Sequence, residues 1–174
     1  YVDVSMLDTA MTLMQGQYAR FLLSGISTGL EGNDSPVALP TQNVYPTADG
    51  HIQITALTEP NAEKVLRVIG CQAVLDDPAT ADNDGRRQHH DAVWRIMADA
   101  LKLDSTANWL EKLGAERIPV AEIRDIPTVL QDPQLEHRDI IHTVGAPGGG
   151  GEDLRLVGAA FMADRDGPTT DRPA

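Results

Sequence analysis

Val44-Tyr45-Pro46-Thr47-Ala48-Asp49-Gly50-His51-Ile52-Gln53-Ile54-Thr55 is the stretch on which the fold turns. Asp-Gly between two β-prone arms signals a hairpin, because tight turns that match strand twist need residues tolerant of positive φ. His51 to Thr55 alternates polar and apolar residues, as a strand with one face in a core does. Pro46 has no amide hydrogen to give to a ladder, so the first arm is an edge strand or an irregular one. Helical periodicity follows this hairpin and further short strands follow the helices. The order predicts an α+β fold class, a short antiparallel sheet with helices.

Downstream, Thr58 caps a helix through Arg67 that buries Val65, Leu66, Val68 and Ile69 and stops at Gly70. After an acidic loop from Asp76 to Gly85, a helix spans Arg86 to Leu103 with Val93, Trp94, Met97 and Leu101 inward. Another runs from Ser105 or Thr106 to Leu113, burying Trp109 and Leu110, with Gly114 as its left-handed stop. Ile118 to Ile123 is extended. Pro127 and Pro133 begin short helical turns, where proline is tolerated because the first amides lack partners anyway. Ile140 to Val144 and Leu154 to Val157 read as strands around a loop that holds Gly148 to Gly151.

Upstream of the hairpin, 26–43 is broken by Gly29, Gly32, Asn33, Pro36 and Pro40 and reads as a linker. Before it, Val4, Leu7, Met11, Met14, Tyr18 and Phe21 recur at three-four spacing, a helix ending near Gly25. Met6, Ala10, Leu13 and Leu22 widen its apolar face beyond what the next 25 residues can cover. With no initiator Met and no polar lead-in, the sequence is expected to be part of something longer.

The chain has 174 residues, with 14 Lys and Arg against 26 Asp and Glu, a formal charge of −12. That length closes a core. The acidic balance argues against nucleic-acid partners, whose phosphates must be neutralised by Lys and Arg, and against anionic membrane surfaces. The stretch from Met6 to Gly25 carries Asp8, Gln15, Gln17 and Arg20 and is not a membrane span. Cys71 is the single cysteine, so neither a disulfide framework nor a thiolate zinc cluster is expected, and a reducing cytoplasm is.

No catalytic constellation follows from spacing alone. Gly148 to Gly151 is followed by Glu152, Asp153 and a β-like run, where a phosphate cradle needs a helix start and usually a Lys. Asp82-Asn83-Asp84-Gly85 resembles part of a calcium loop, but that register puts Thr80 and Asp91 where Asp and a bidentate Glu are required. His89 and His90 are adjacent and diverge on a helix, so no metal site is expected. Trp94 and Trp109 belong to core faces. Gly32 and Asn33 permit close backbone approach to a ligand, although a linker is the plainer reading.

Three stretches in order carry a resemblance. Val2-Asp3-Val4-Ser5-Met6-Leu7-Asp8 opens the first helix. Gly32-Asn33-Asp34-Ser35-Pro36 precedes Tyr45-Pro46-Thr47-Ala48-Asp49-Gly50. Ile118-Pro119-Val120 precedes Leu130-Gln131-Asp132-Pro133-Gln134-Leu135 and Arg138. The set resembles the C-terminal half of family III CoA-transferases, the CaiB–BaiF group. The resemblance implies that 44–144 is the small α+β domain, joined by the 26–43 linker. It also implies that the 1–25 helix and the loop, strand and tail of 145–174 belong to a larger Rossmann-like, CoA-binding domain. It further implies an interlocked homodimer and acyl-CoA and carboxylic acid as substrates, with the coenzyme A thioester consumed as substrate and no tightly bound cofactor.

By the same resemblance the nucleophile is an aspartate upstream of Tyr1. No catalytic residue is therefore expected within the chain, Asp3 and Asp8 included, and the isolated fragment is expected to be inactive. Met6, Gly32 and Asn33 are expected to line the substrate site. Formyl-CoA transferases carry a glycine run after that position; Asp34-Ser35-Pro36 replaces it here, which leaves the acyl group open. An acyl-CoA racemase of the same family and a non-catalytic dimerisation or binding module are the alternatives.

Overall fold

The computed structural model describes residues 3–25, 27, 37–145 and 152–159. The chain forms two compact units, Tyr1–Ile123 and Arg124–Ala174.

The first unit begins with α1 (Met6–Leu13) and α2 (Gln15–Ser24). Ser5 caps α1 by accepting the Asp8 amide at 3.3 Å. The single helix expected from Val4 to Gly25 is thus broken. At Met14 the amide is shared between the Ala10 and Met11 carbonyls, and Gly16 weakens the following turn. Gly25 ends α2 in the left-handed conformation, φ 71°, its amide 2.8 Å from the Phe21 carbonyl. Neither helix has a buried residue.

The hairpin forms as expected: β1 (Gln42–Pro46) pairs antiparallel with β2 (His51–Thr55), and β3 (Val120–Glu122) adds to the far side of β2. Register places Tyr45 opposite Ile52 and Val44 opposite Gln53, with Gln53 opposite Ala121. Because side chains alternate across a strand, Tyr45, Ile52 and Ile54 share the inner face and are wholly buried. The turn closes through the Thr47 amide on the Gly50 carbonyl and the Gly50 amide on Thr47 Oγ1, 2.9 and 3.0 Å.

There follow α3 (Glu59–Val68), α4 (Gln72–Asp76), α5 (Asn83–Gln88), α6 (His90–Leu101) and α7 (Thr106–Ala115), all but α5 adding residues to a core shared with that face. Val65, Leu66, Val74, Val93, Met97, Leu101, Trp109, Leu113 and Ile118 complete the core. Tyr45 stacks on Trp94 with ring centres 5.6 Å apart, and Trp109 Nε1 donates to the Leu101 carbonyl at 2.7 Å. The expected Arg86–Leu103 helix is two helices, broken at His89 (φ −108°, ψ 31°). The first of them starts inside the acidic run, capped by Asp82. Gly114 lies within α7; the left-handed residue is Arg117, φ 57°, three positions later. That placement lets the Ile118 amide reach back to the Leu113 carbonyl at 3.1 Å and seats Ile118 in the core.

The second unit holds α8 (Ile126–Val129), α9 (Pro133–His137) and the antiparallel pair β4 (Ile141–Val144) and β5 (Leu154–Val157). Asp125 and Asp132 cap the two short helices, each accepting an amide at 2.9 Å, with proline in the first turn of both. Among the described residues no helix is long and apolar enough to cross a membrane.

Candidate functional site

Met6 stands at the first position of α1, positioned by the Ser5 cap and by the Thr9 hydroxyl, which donates to the Ser5 carbonyl at 2.9 Å. Its side chain is 90% exposed. Gly32 and Asn33 lie outside the described residues, as do Gly148 to Gly151. Among the described residues, Met6 alone of the expected site residues has its surroundings given.

The structure shows how the chain from Val37 to Thr41 is fastened. Leu39, Pro40 and Thr41 are buried at the start of β1. The Tyr45 hydroxyl donates to the Pro40 carbonyl at 2.5 Å, and the Thr41 hydroxyl donates to the Ala56 carbonyl at 2.8 Å while the Ala56 amide returns a bond to Thr41. Ala38 adopts φ 53°, unusual for a residue with a β-carbon. Just before it, the Val37 carbonyl accepts from Arg87 Nε at 3.2 Å, and Arg87 Nη1 reaches Asp84 Oδ1 at 2.5 Å.

The acidic run proves to be a helix start. Asp82 accepts the Gly85 amide at 2.8 Å, and Arg86 is wholly buried, donating to the Thr80 and Ala81 carbonyls at 3.1 and 2.8 Å and to Glu59. Glu59 also accepts the Asn83 amide at 2.8 Å, so one carboxylate ties α3 to α5. Sequence reasoning missed this pair. Its signal was phase: Arg86 stands seven residues before Val93, on the stripe of Met97 and Leu101.

Titratable groups behave as structural elements. The Thr106 amide and hydroxyl lower Asp49, and Lys112, with Asn108 and the Ser105 amide, lowers Asp104 to about 2. Asp125 is lowered by Thr128, and Asp132 by the Gln134 amide and then Arg124. Each is a carboxylate held ionised by donors at a turn or helix start, the reverse of the raised pKa a general acid needs. Burial pushes the Cys71 thiol up, which disfavours the reactive thiolate. Among the described residues no cluster of three His, Cys, Asp or Glu is placed to hold a metal ion. His89 Nδ1 faces the Gly85 carbonyl and His90 Nδ1 faces Asp91.

The family model for CoA-transferase family III matches residues 1–174. The chain is 25% identical over 172 residues to succinyl-CoA:mesaconate CoA-transferase of Haloarcula hispanica, a match covering 97% of this chain and 41% of that protein. It is 21% identical over 147 residues to succinyl-CoA:glutarate CoA-transferase of Mus musculus, covering 84% of this chain and 34% of that one. The Rv3272 protein of Mycobacterium tuberculosis superposes with a TM-score of 0.72 at 20% identity, covering 99% of this chain and 44% of that chain. A CAIB/BAIF family protein from Brucella suis gives 0.74 at 19%, covering 98% and 43%. The chain thus spans less than half the length of each relative.

Proposed function

This chain belongs to CoA-transferase family III, and on that premise we propose that the whole protein carrying it moves CoA from an acyl-CoA to a free carboxylic acid. The family match over all 174 residues is the observation that carries this reading. Two curated relatives are named for transfer from succinyl-CoA to mesaconate or to glutarate, so small dicarboxylic acids are the substrates to try first.

The proposed chemistry is covalent. An aspartate outside this chain attacks the thioester carbonyl, releasing CoA thiolate and forming a mixed anhydride. The thiolate then attacks the aspartyl carbonyl, releasing the donor acid and leaving an aspartyl-CoA thioester. The acceptor carboxylate repeats the two exchanges in reverse. Each exchange replaces one difficult acyl transfer by easier ones. Met6, Gly32 and Asn33 are proposed to line the reacting centre. The segments 1–25 and 145–174 are proposed to pack into a larger CoA-binding domain, linked through 26–43 to a small domain over 44–144. The proposed assembly is an interlocked homodimer, and the proposed compartment is the cytoplasm.

The test is to incubate the whole protein with succinyl-CoA and a second dicarboxylic acid, then follow the new acyl-CoA and a hydroxylamine-trapped aspartyl adduct by mass. Both products are expected. Deuterium washing into the α-position without CoA exchange would instead identify a racemase. The isolated 174-residue chain is expected to give no exchange; measurable exchange by it overturns the placement of the nucleophile outside the chain.

A further inference from the structure

We infer that the outer face of the β1–β2–β3 sheet, the face turned away from the core, is a surface on which two copies of this protein meet. The inference gives the proposed homodimer a contact surface and rests on two copies associating; it does not need them to interlock. Register lays the face out as a grid. Tyr45, Ile52 and Ile54 point inward, so Gln42, Val44 and Pro46 of β1 point outward, and so do His51, Gln53 and Thr55 of β2. Ala121 of β3 stands opposite Gln53 on the same face. The ladder runs on past both ends of β3: the Thr55 amide donates to the Pro119 carbonyl and the Ile123 amide to the His51 carbonyl, each at 2.9 Å. Pro119 and Ile123 thus complete a third column beside Thr55 and His51.

None of the nine is Lys, Arg, Asp or Glu. Those four types make up 23% of the chain, so about two would fall among nine positions at that frequency. A solvated sheet face alternates apolar inside with polar outside, yet Val44, Pro46, Pro119, Ala121 and Ile123 are apolar and turned out. Pro119, Ala121 and Ile123 are exposed, Ile123 by 50%, and the outward residues of β1 are half-buried. Apolar residues mixed with Gln, Thr and His match the centre of a protein interface, from which charged side chains are depleted. Net charge decides the occupant. The chain carries −12, so two copies repel wherever a charged surface of one meets its match on the other. A face without Lys, Arg, Asp or Glu is where like can meet like. Two sheets packed face to face stand about 10 Å apart, and a two-fold axis through the grid brings its centre, Gln53, beside its own copy.

The experiment places a thiol at the centre, Gln53→Cys, in the whole protein and treats it with a two-headed maleimide whose spacer is about 10 Å, the separation of packed sheets. The control is Glu111→Cys, exposed on α7, a helix that shares the core with the opposite face. Sedimentation equilibrium first reads the oligomeric state, expected to be a dimer. On a denaturing gel, Gln53→Cys is expected to give covalent dimer about a hundredfold faster than Glu111→Cys, because thiols held face to face meet at millimolar instead of micromolar concentration. A monomeric wild-type protein overturns the homodimer reading and this surface with it. A dimer whose Gln53→Cys variant links no faster than the control overturns the surface alone. A one-headed maleimide then tells what replaces it: a blocked thiol means that another part of the whole protein covers the face, and a freely labelled one that the face meets solvent. Should Gln53→Cys not fold, Ala121→Cys, opposite it on β3, carries the same comparison.

Discussion

Gly85 has no room for a side chain: a β-carbon there would stand 2.2 Å from the Ala79 carbonyl oxygen and 3.2 Å from the Thr80 Cα. The helix start must approach residues 79–81 this closely because the next residue, Arg86, donates to the Thr80 and Ala81 carbonyls from a wholly buried position. Gly85→Ala therefore pushes α5 outward and strips partners from a buried cation. The expected loss is about 2–4 kcal/mol, the range for breaking a buried charged network, measured by urea unfolding. Asp104 gives a second test at this scale. Lys112, Asn108 and the Ser105 amide hold its carboxyl at about 2, below the ordinary 3.8. A depressed pKa contributes stability above the unfolded value that is lost as pH falls through the folded one. Asp104→Asn is thus expected to melt below wild type above pH 4, the gap closing as pH approaches 2; a gap that persists at pH 2 contradicts the ionic origin.

At the scale of elements, three helices end in the same way. Gly70, Arg117 and Asp139 take positive φ after α3, α7 and α9, and the amides of Cys71, Ile118 and Ile140 reach back to Leu66, Leu113 and Leu135. Glycine occupies such a position at no steric cost, whereas Arg117 costs about 1 kcal/mol in the left-handed region. Arg117→Gly is expected to stabilise the chain by about that amount. Gly114→Ala adds about 0.5–1 kcal/mol, because Gly114 sits inside α7 with nothing within 4 Å of a built β-carbon. Differential scanning calorimetry on the two variants checks both. The pair also shows what a sequence can and cannot announce. Gly70 was legible as a stop because glycine suits the conformation by itself. Arg117 was not, because the end of α7 is set by where Ile118 must land in the core. The breaks at Met14 and His89 were hidden for a related reason: apolar phase continues across both, and only the backbone bonds change. The hairpin was legible throughout, since alternation and Asp49-Gly50 are local. Met6, Gly32 and Asn33 are named by resemblance alone, because no local pattern marks them, and Gly32 and Asn33 lie outside the described residues.

For the molecule as a whole, the exposed face of α1 and α2 is the observation with the widest reach. Met6, Leu22 and Leu23 are 90, 79 and 89% exposed, although fully burying a leucine or methionine contributes about 1.5–3 kcal/mol. Exposed apolar residues in this number are what the proposed packing partner would cover. The proposal that 1–25 packs into a larger CoA-binding domain makes opposite predictions in two contexts. In the 174-residue chain, Leu22→Glu with Leu23→Glu is expected to leave melting within about 2 °C, because neither residue is buried there, and to reduce self-association seen by sedimentation. In the whole protein the same pair is expected to destabilise by more than about 3 kcal/mol, since two buried leucines are lost and two charges are placed in their stead. The contrast separates this reading from its rival. Helices that merely face solvent would tolerate the double glutamate in both contexts. A whole protein that keeps its wild-type melting temperature and oligomeric state with both glutamates in place would remove the 1–25 helix from the larger domain.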